Sequence, residues 1–436
     1  MSRTMKNSGI PWIGEIPEGW KVELIGNQVK AVDNPNINGE EDNALQFKMG
    51  TIISKSKGDS KYNPETLEGY NIVDKGVIML NGLNLSFDFI SQRVGLVKER
   101  GVITSTYIAV KPTSNIDSDY LTYLFKAYDN CKAFHGMGRG LRQILSYGEL
   151  RKHFLITPPL AEQHLIATFL DKKCSEIDSL IDLQEQMIEE LKAYKQSVIT
   201  EAVTKGIRNE ELGVRNYKDS GIEWIGDVPE GWEVHPFKAY YKTTKGLNIT
   251  KENLVERGIP VISYGQIHSK LNTGTSICDA LIRYVPETYL ESNPECLSKK
   301  YDIFFADTSE DVEGAGNIAF VDTDRPIFAG YHTIIARPQK EVKTKYFAYL
   351  AKTDAWRTQI RNSLSGVKVF SISQKLINRV CIILPPLAEQ QAIADYLDKK
   401  CGEIDELITI KQQKIESLKE YKKSVIYEYV TGKREV

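Results

Sequence analysis

One segment of about forty residues occurs twice, and it constrains the fold more than anything else in the chain. Residues 158–199 read PPLAEQHLIATFLDKKCSEIDSLIDLQEQMIEELKAYKQSVI, and residues 385–426 read PPLAEQQAIADYLDKKCGEIDELITIKQQKIESLKEYKKSVI. About two-thirds of the aligned positions are identical, and no gap is needed. A shorter string precedes each half: SGIPWIGEIPEGW at Ser8–Trp20 and SGIEWIGDVPEGW at Ser220–Trp232. The period is far too long for a solenoid of stacked small repeats, so the chain is a duplicated protein. Two near-identical frames enclose two stretches that differ.

The frame predicts a long helix with an apolar seam. Pro158 and Pro159 end whatever precedes them. Strong helix formers follow, and neither Gly nor Pro recurs until Gly206. Leu170, Ile177, Leu191 and Val198 fall at one heptad position, with Cys174, Ile181 and Ile188 at the other. The second copy places Leu397, Ile404, Leu418 and Val425 with Cys401, Ile408 and Ile415. Polar residues interrupt both seams in register, Gln184 and Lys195 in one, Lys411 and Lys422 in the other. Such interruptions cost stability and select register and partner. At about 1.5 Å per residue, roughly forty residues make a rod of about 60 Å. Because the seams match in length and register, the two rods are expected to pair with each other, antiparallel, within one chain. The alternative is that each packs separately on its own globular domain.

With 436 residues the chain can hold two or more domains, each with its own core. No apolar run approaches a membrane span, and the polar start MSRTMKNSG does not read as a signal peptide. The six Cys form no CxxC pair and no Cys/His metal spacing. A cytoplasmic location is therefore expected. The formal net charge of −2 gives no support to nucleic-acid binding, but it hides a partition. Residues 21–157 carry about +2 and residues 233–384 about +4, while the frames carry the acid.

The stretch 21–157 reads as short strands broken by turns: LQFKMGTIIS, GVIMLNG, RVGLV and TSTYIAVKP. A helical patch follows from about Asp119 to Phe134, and then a basic loop, HGMGRGLRQILSYGELRKHF. Its GxGxG string follows a helix rather than a strand, which argues against a dinucleotide cradle and for a surface loop, solvated or in contact with DNA. The stretch 233–384 has the same grammar in different words. Its strands are GIPVISYGQI, YDIFFAD, NIAFVD and HTIIARP; its helical patch is KTKYFAYLAKTDAWRTQI; its basic loop is RNSLSGVKVFSISQKL. One scaffold with divergent filling is what a pair of recognition modules with different targets requires.

A search for catalytic sets finds none. There is no phosphate-binding loop, no Asn/Asp-Pro-Pro-Tyr string, no common nuclease core and no HExxH. The six His are scattered without a fixed acid or nucleophile beside them. The acidic run FADTSEDVEG, with Asp307, Glu310, Asp311 and Glu313, reads as a polar turn, with a metal site as the alternative.

The two W-I-G-x-[IV]-P-E-G-W boxes at Trp12–Trp20 and Trp224–Trp232, with the two PPLAEQ helices at Pro158–Gln163 and Pro385–Gln390, resemble the specificity subunits of type I restriction–modification enzymes. The resemblance covers the architecture of the whole chain. It implies an α+β fold with a pseudo-two-fold internal repeat: two mixed, β-rich target recognition domains joined by two long helices in an antiparallel coiled coil. The implied boundaries are residues 1–157 for the first recognition domain with its box at 8–20, and 158–206 for the first helix. Residues 207–384 are a linker, the second box (220–232) and the second recognition domain, and 385–436 are the second helix. The resemblance further implies a bipartite, asymmetric double-stranded DNA site, two methyltransferase subunits docked on the repeated regions, and translocating nuclease subunits joining that complex. It implies a chain with no catalytic residue and no metal or cofactor of its own; S-adenosylmethionine, ATP and Mg2+ would serve the partners.

Polar and basic residues in turns between expected strands are the candidates for DNA contact. In the first stretch they are Lys48, Lys55, Lys57, Asn81, Asn84, Arg93, Arg139 and Arg142; in the second, Tyr264, Gln266, His268, Lys270, Asp307, Arg361 and Lys368. Two other readings stand beside this one: a stand-alone methyltransferase or nuclease with its own active site, and a coiled-coil scaffold without DNA binding.

Overall fold

A computed structural model describes residues 3–55, 67–90, 92–207, 216–364 and 369–436. The fold is α+β and divides into two compact units. One comprises Met1–Glu185 and Gln412–Val436, the other Gln186–Lys411. Two long helices, Leu160–Lys205 and Leu387–Val430, contribute one part to each unit.

In the first unit an antiparallel sheet has the spatial order Val29–Ala31, Ile108–Pro112, Ile78–Leu80, Val94–Leu96. Ile78, Leu80, Val94 and Val110 turn into one core with Tyr120, Leu121, Leu124 and Phe125 of the helix Ser118–Asn130. That helix starts where the Asp117 carboxylate accepts the Tyr120 N–H (2.8 Å), a side-chain N-cap. A hairpin, Leu45–Lys48 with Thr51–Ser54, adds a second small core with Ile52 and Val73. The strand Lys21–Leu24 pairs with Phe154–Thr157 and closes the module just before the long helix begins.

The second unit repeats the plan. Its sheet runs Tyr241–Lys245, Thr333–Pro338, Ile303–Ala306, Ile318–Phe320, again antiparallel throughout. Glu233–Pro236 pairs with Cys381–Leu384 at the corresponding closing position. The filling differs in a three-stranded sheet, Arg283–Val285, Ile259–Ile262 and Phe328–Ala329, whose last pair is parallel. It also differs in the helical patch, which the sequence presents as one run and the structure breaks into Thr344–Leu350 and Asp354–Arg361. Thr353 makes the break. Its backbone is extended, and its hydroxyl donates back to the Leu350 carbonyl (2.7 Å) instead of continuing the helix.

The repeated motifs explain themselves at the start of each long helix. The Trp20 indole N–H donates to Glu162 (3.1 Å), and the Trp232 indole N–H donates to Glu389 (3.0 Å). Both indoles are buried. Directly before the strand that follows it, each box thus plugs into the AEQ step of a long helix. The Gln of that step is buried and bridges two segments. Gln163 accepts the Asp117 N–H and donates to the Pro158 carbonyl; Gln390 accepts the Lys343 N–H and donates to the Pro385 carbonyl. Tyr120 donates to the carbonyls of Ile156 and Val430, and Tyr346 to those of Ile383 and Val203. A Trp, a Glu, a Gln and a Tyr therefore tie box, sheet and both helices together within each unit.

In both units the two helices run antiparallel against each other. In the first, Phe169 packs on Tyr429 (4.4 Å between rings) and Asp178 pairs with Lys422 (2.6 Å), so partner numbers fall as positions rise. In the second, Met187 meets Lys411 and Lys195 pairs with Asp405 (2.6 Å). Leu170, Cys174, Ile177, Ile181, Ile188 and Val198 are buried on one helix, as are Leu397, Cys401, Ile404, Ile415 and Val425 on the other; Leu191, Ile408 and Leu418 are half-buried. The polar seam positions Lys195 and Lys422 reach a carboxylate of the facing helix. That satisfies each ammonium and fixes the register.

Each unit also repeats a cluster beside this seam. Tyr123 donates to Asp171 (2.8 Å) and Tyr349 to Asp398 (2.7 Å). Burial pushes both phenols up, along with the Cys174 and Cys401 thiols. Burial, with Lys195 close by, pulls the Lys352 ammonium down to about 8.

Two outcomes are expected. Trp20→Phe and Glu162→Gln should be coupled by about 1–3 kcal/mol in a double-mutant cycle of urea unfolding, because the indole–carboxylate bond is charge-assisted and buried on one side; additive effects would remove the junction from the account. For Lys352, the unfolded chain keeps its proton up to the ordinary lysine range while the folded chain releases it near 8. Stability rises with pH wherever the unfolded state binds more protons. The urea midpoint should therefore gain on that of Lys352→Met as pH is raised from about 8 to about 10.

Candidate nucleic-acid interface

In the first unit, three turns at one end of the sheet carry most of the candidate residues. The hairpin turn at Met49 and Gly50 leaves Lys48 exposed and lies against Gln92, where a Cβ at Gly50 would collide. The loop 81–90 and the loop 137–145 clasp each other. Leu145 N–H donates to the Gly82 carbonyl (2.9 Å), Leu85 N–H to Gln143 (3.2 Å) and the Ser86 hydroxyl to Leu141 (3.1 Å). Only glycine fits at position 82, because a Cβ there would run into the Leu145 carbonyl. The structure thus brings Asn81, Asn84, Arg139 and Arg142 onto neighbouring loops. Asn84, Arg139 and Arg142 are exposed, and Arg139 pairs with Glu149 (3.1 Å). The GxGxG string begins at Gly136, the end of the short 3-10 helix Ala133–Gly136, and runs into the second loop, where Arg139 and Ile144 form an isolated antiparallel bridge; no helix opens on it.

Arg93 is different. It is 1% exposed, and its guanidinium donates to the carbonyls of Asn81 (3.0 Å), Leu83 (2.8 Å) and Asp88 (2.7 Å). Its backbone N–H donates to Asp129 (2.8 Å), whose carboxyl burial pushes up. A buried guanidinium must be paired, and here loop carbonyls and the Asp88 carboxylate (3.5 Å) do it. Arg93 shapes the loop from inside and offers no charge at the surface. Lys55 is half-buried, with its backbone N–H on the Ala44 carbonyl (2.7 Å). Lys57 lies outside the described residues.

The second unit gathers its candidates into one polar patch. Tyr264 opens a one-turn helix, and its ring lies edge-on to His332 (5.4 Å) and Tyr331 (5.5 Å). His268 is held by the Thr308 carbonyl (2.8 Å) and Asn317 (3.1 Å). Asp307 accepts from the Thr308 hydroxyl (2.7 Å) and contacts His332 (3.1 Å). His332 is exposed, with a left-handed backbone (φ 53°) that a non-glycine residue adopts at a cost. Gln266 spends its side-chain carbonyl on the Ser263 N–H (3.0 Å), capping its own turn. Lys270 is exposed just beyond. Arg361 stands apart, bracketed by Asp354 (3.0 Å) and Glu313 (3.2 Å), so its charge is already neutralised. Lys368 lies outside the described residues. The acidic run 305–314 is spread over separate partners: Asp307 on His332, Glu313 on Arg361, Asp311 on the Gly314 N–H.

The residues missing from the sequence reading are His332, Thr308 and Asn317. His332 stands directly before the strand Thr333–Pro338, whereas His268 ends the one-turn helix Tyr264–Ile267, so no shared local pattern links the two histidines. What the arrangement offers is a set of donors and acceptors fixed by backbone and neighbours: one carboxylate, two imidazoles, a phenol and an amide.

A stability assay and a DNA-binding assay separate the two kinds of arginine. Arg93→Ala should cost about 3–5 kcal/mol of stability by orphaning three loop carbonyls. Arg142→Ala should leave stability unchanged and lower the slope of log affinity against log salt by about 1.

Residues 229–432 match the family described as the Type I restriction modification DNA specificity domain. The chain is 25% identical over 428 residues to the Type I restriction enzyme MjaVIII specificity subunit of Methanocaldococcus jannaschii, spanning 96% of this chain and 93% of the relative. It is 25% identical over 443 residues to the putative MjaX specificity subunit of the same organism, spanning 97% and 95%. Among solved structures, a chain from a study of type I R-M system assembly and conformational transition superposes with a TM-score of 0.68 at 13% identity, covering 96% of this chain and 99% of that one. The HsdS subunit of Thermoanaerobacter tengcongensis superposes with a TM-score of 0.53 at 13% identity, covering 96% and 98%. These two likenesses establish the fold.

Proposed function

We propose that this chain, which matches the Type I restriction modification DNA specificity domain over residues 229–432 and the MjaVIII specificity subunit over nearly its whole length, is itself a type I specificity subunit that reads a bipartite, asymmetric DNA site, one half through each unit, and docks the subunits that carry the chemistry. The observation that carries this reading is the contrast between sameness and difference in the two units. Junction and helix pairing repeat residue for residue and the sheets repeat in strand order, whereas the loops at 81–93 and 137–145 have no counterpart in the patch around Tyr264, His268, Asp307 and His332. A conserved frame with unlike reading heads suits two unlike half-sites.

Recognition would divide in the usual way. Lys48, Lys55, Lys57, Arg139, Arg142, Lys270 and Lys368 would meet phosphates and set register. Asn81 and Asn84 in one unit, and Tyr264, Gln266, His268 and Asp307 in the other, would face base edges in the major groove; Asp307 is an acceptor suited to cytosine N4. Arg93 and Arg361 would act from behind, holding the loops. The paired helices would serve as the ruler that sets the number of base pairs between half-sites. Their seams would be the coiled-coil residues named above.

The helices also carry apolar side chains that the seam does not use. Leu180 and Leu183 are exposed in the first unit, and Leu407 and Ile410 in the second. Exposed apolar residues on a repeated frame suit two copies of one partner, and two methyltransferase subunits would dock there. Those subunits would use S-adenosylmethionine, and nuclease–translocase subunits joining the complex would use ATP and Mg2+. This chain would contribute recognition and no reacting group, in the cytoplasm where the DNA is. Among the described residues no helix is long and apolar enough to cross a membrane.

The ruler can be tested without knowing the site in advance. Inserting or deleting a helical repeat between Asp171 and Lys195 should change the spacer of the recognised sequence and leave both half-sites as they were. A change in half-site sequence with the spacer kept would overturn it.

A further inference from the structure

The clasped loops of the first unit present apolar side chains to solvent at the place where the basic ones emerge. Leu141 is 98% exposed, Ile90 86% and Phe87 76%. They are neighbours rather than scattered residues, because the Ser86 hydroxyl donates to the Leu141 carbonyl and Leu85 N–H to Gln143. They are also held stiffly. The buried Arg93 guanidinium ties the carbonyls of Asn81, Leu83 and Asp88 together. Phe89 stacks on the His135 ring (4.8 Å, 19° between planes), and the Asp88 side chain accepts the Ile90 N–H (3.1 Å). A fold that commits a buried guanidinium to this loop and leaves its apolar tip uncovered has a use for the tip.

The flanks say what covers it. Leu141 sits between Arg139 and Arg142 in the chain, both exposed, on a loop whose basic residues outnumber its acids. Positive groups on either side of an apolar projection match phosphates on either side of stacked bases. We propose that Leu141, supported by Phe87 and Ile90, is a wedge that enters the duplex at one base step of the half-site read by the first unit. Partial unstacking there makes this unit's specificity depend on how easily that step deforms, favouring a flexible pyrimidine–purine step. The second unit's patch, built from Tyr264, His268, Asp307 and His332, reads edges and needs no such opening. The proposal rests on the DNA-reading function and adds the manner of reading.

The experiment uses the full chain in complex with its methyltransferase subunits and a duplex carrying the site mapped by methylation. 2-Aminopurine is placed singly through the half-site of the first unit, away from the modified adenine. Fluorescence should rise at one step with the unaltered complex and stay flat there with Leu141→Ala. Affinity should fall about tenfold in that variant and recover on a duplex with a mismatch at the same step, where unstacking is already met. Leu141 is so exposed that the variant should melt with the unaltered protein. Tight, site-selective binding with the same fluorescence profile in both proteins would overturn the wedge and leave the DNA-reading function standing. Loss of the methyltransferase subunit from Leu141→Ala would overturn it as well, by making the tip a protein interface. Absence of any site-selective binding by the unaltered complex would instead overturn the function itself.

Discussion

A buried tryptophan donating to a helix-start glutamate, made twice, is the contact the rest of the molecule depends on. Trp20 on Glu162 and Trp232 on Glu389 dock each box on the first turn of a long helix. The same turn supplies the glutamine that caps the entry to the module's helix. With direction and position set there, heptad seams bring the helices together antiparallel in each unit, and Lys195–Asp405 and Lys422–Asp178 lock the register. Once the frame is fixed by these few bonds, the loops at the far side of each sheet are free to diverge without loss of fold.

Under the proposed function, that separation of frame from loops would be the physical basis for changing specificity. Sheet order is the same in both units, so in the proposed reading a reading head could be exchanged without rebuilding its support. Arg93 shows how the head is supported from within: a charge that would suit a phosphate is instead buried to shape a loop. Arg361 is held in a comparable way by Asp354 and Glu313. The residues at the surface can then vary while those beneath keep the loop in place.

Much of this frame was legible in the sequence, because repetition and heptad spacing are properties of residue order alone. The paired helices, the strands around GVIMLNG, YDIFFAD and HTIIARP, and the family resemblance all follow from patterns with a fixed period or a double occurrence. The break at Thr353 was not legible, since KTKYFAYLAKTDAWRTQI keeps helical spacing across it and only a back-bonded hydroxyl interrupts the run. The fate of Arg93 was hidden for a similar reason. A lone arginine beside a strand reads as surface, and its three carbonyl partners come from loop closure that no local pattern encodes. His332 joins Asp307 across a sheet, so only the fold shows the pair.

The central claim is that this chain supplies two independent reading heads on one frame and leaves chemistry to its partners. The most direct measurement is to co-express it with its cognate methyltransferase subunit in a methylation-free host and map modified adenines across the genome. The account predicts a single split motif with a fixed gap, of which exchange of residues 21–157 alters one half only. A stable complex of the two proteins that leaves the genome unmodified would contradict it.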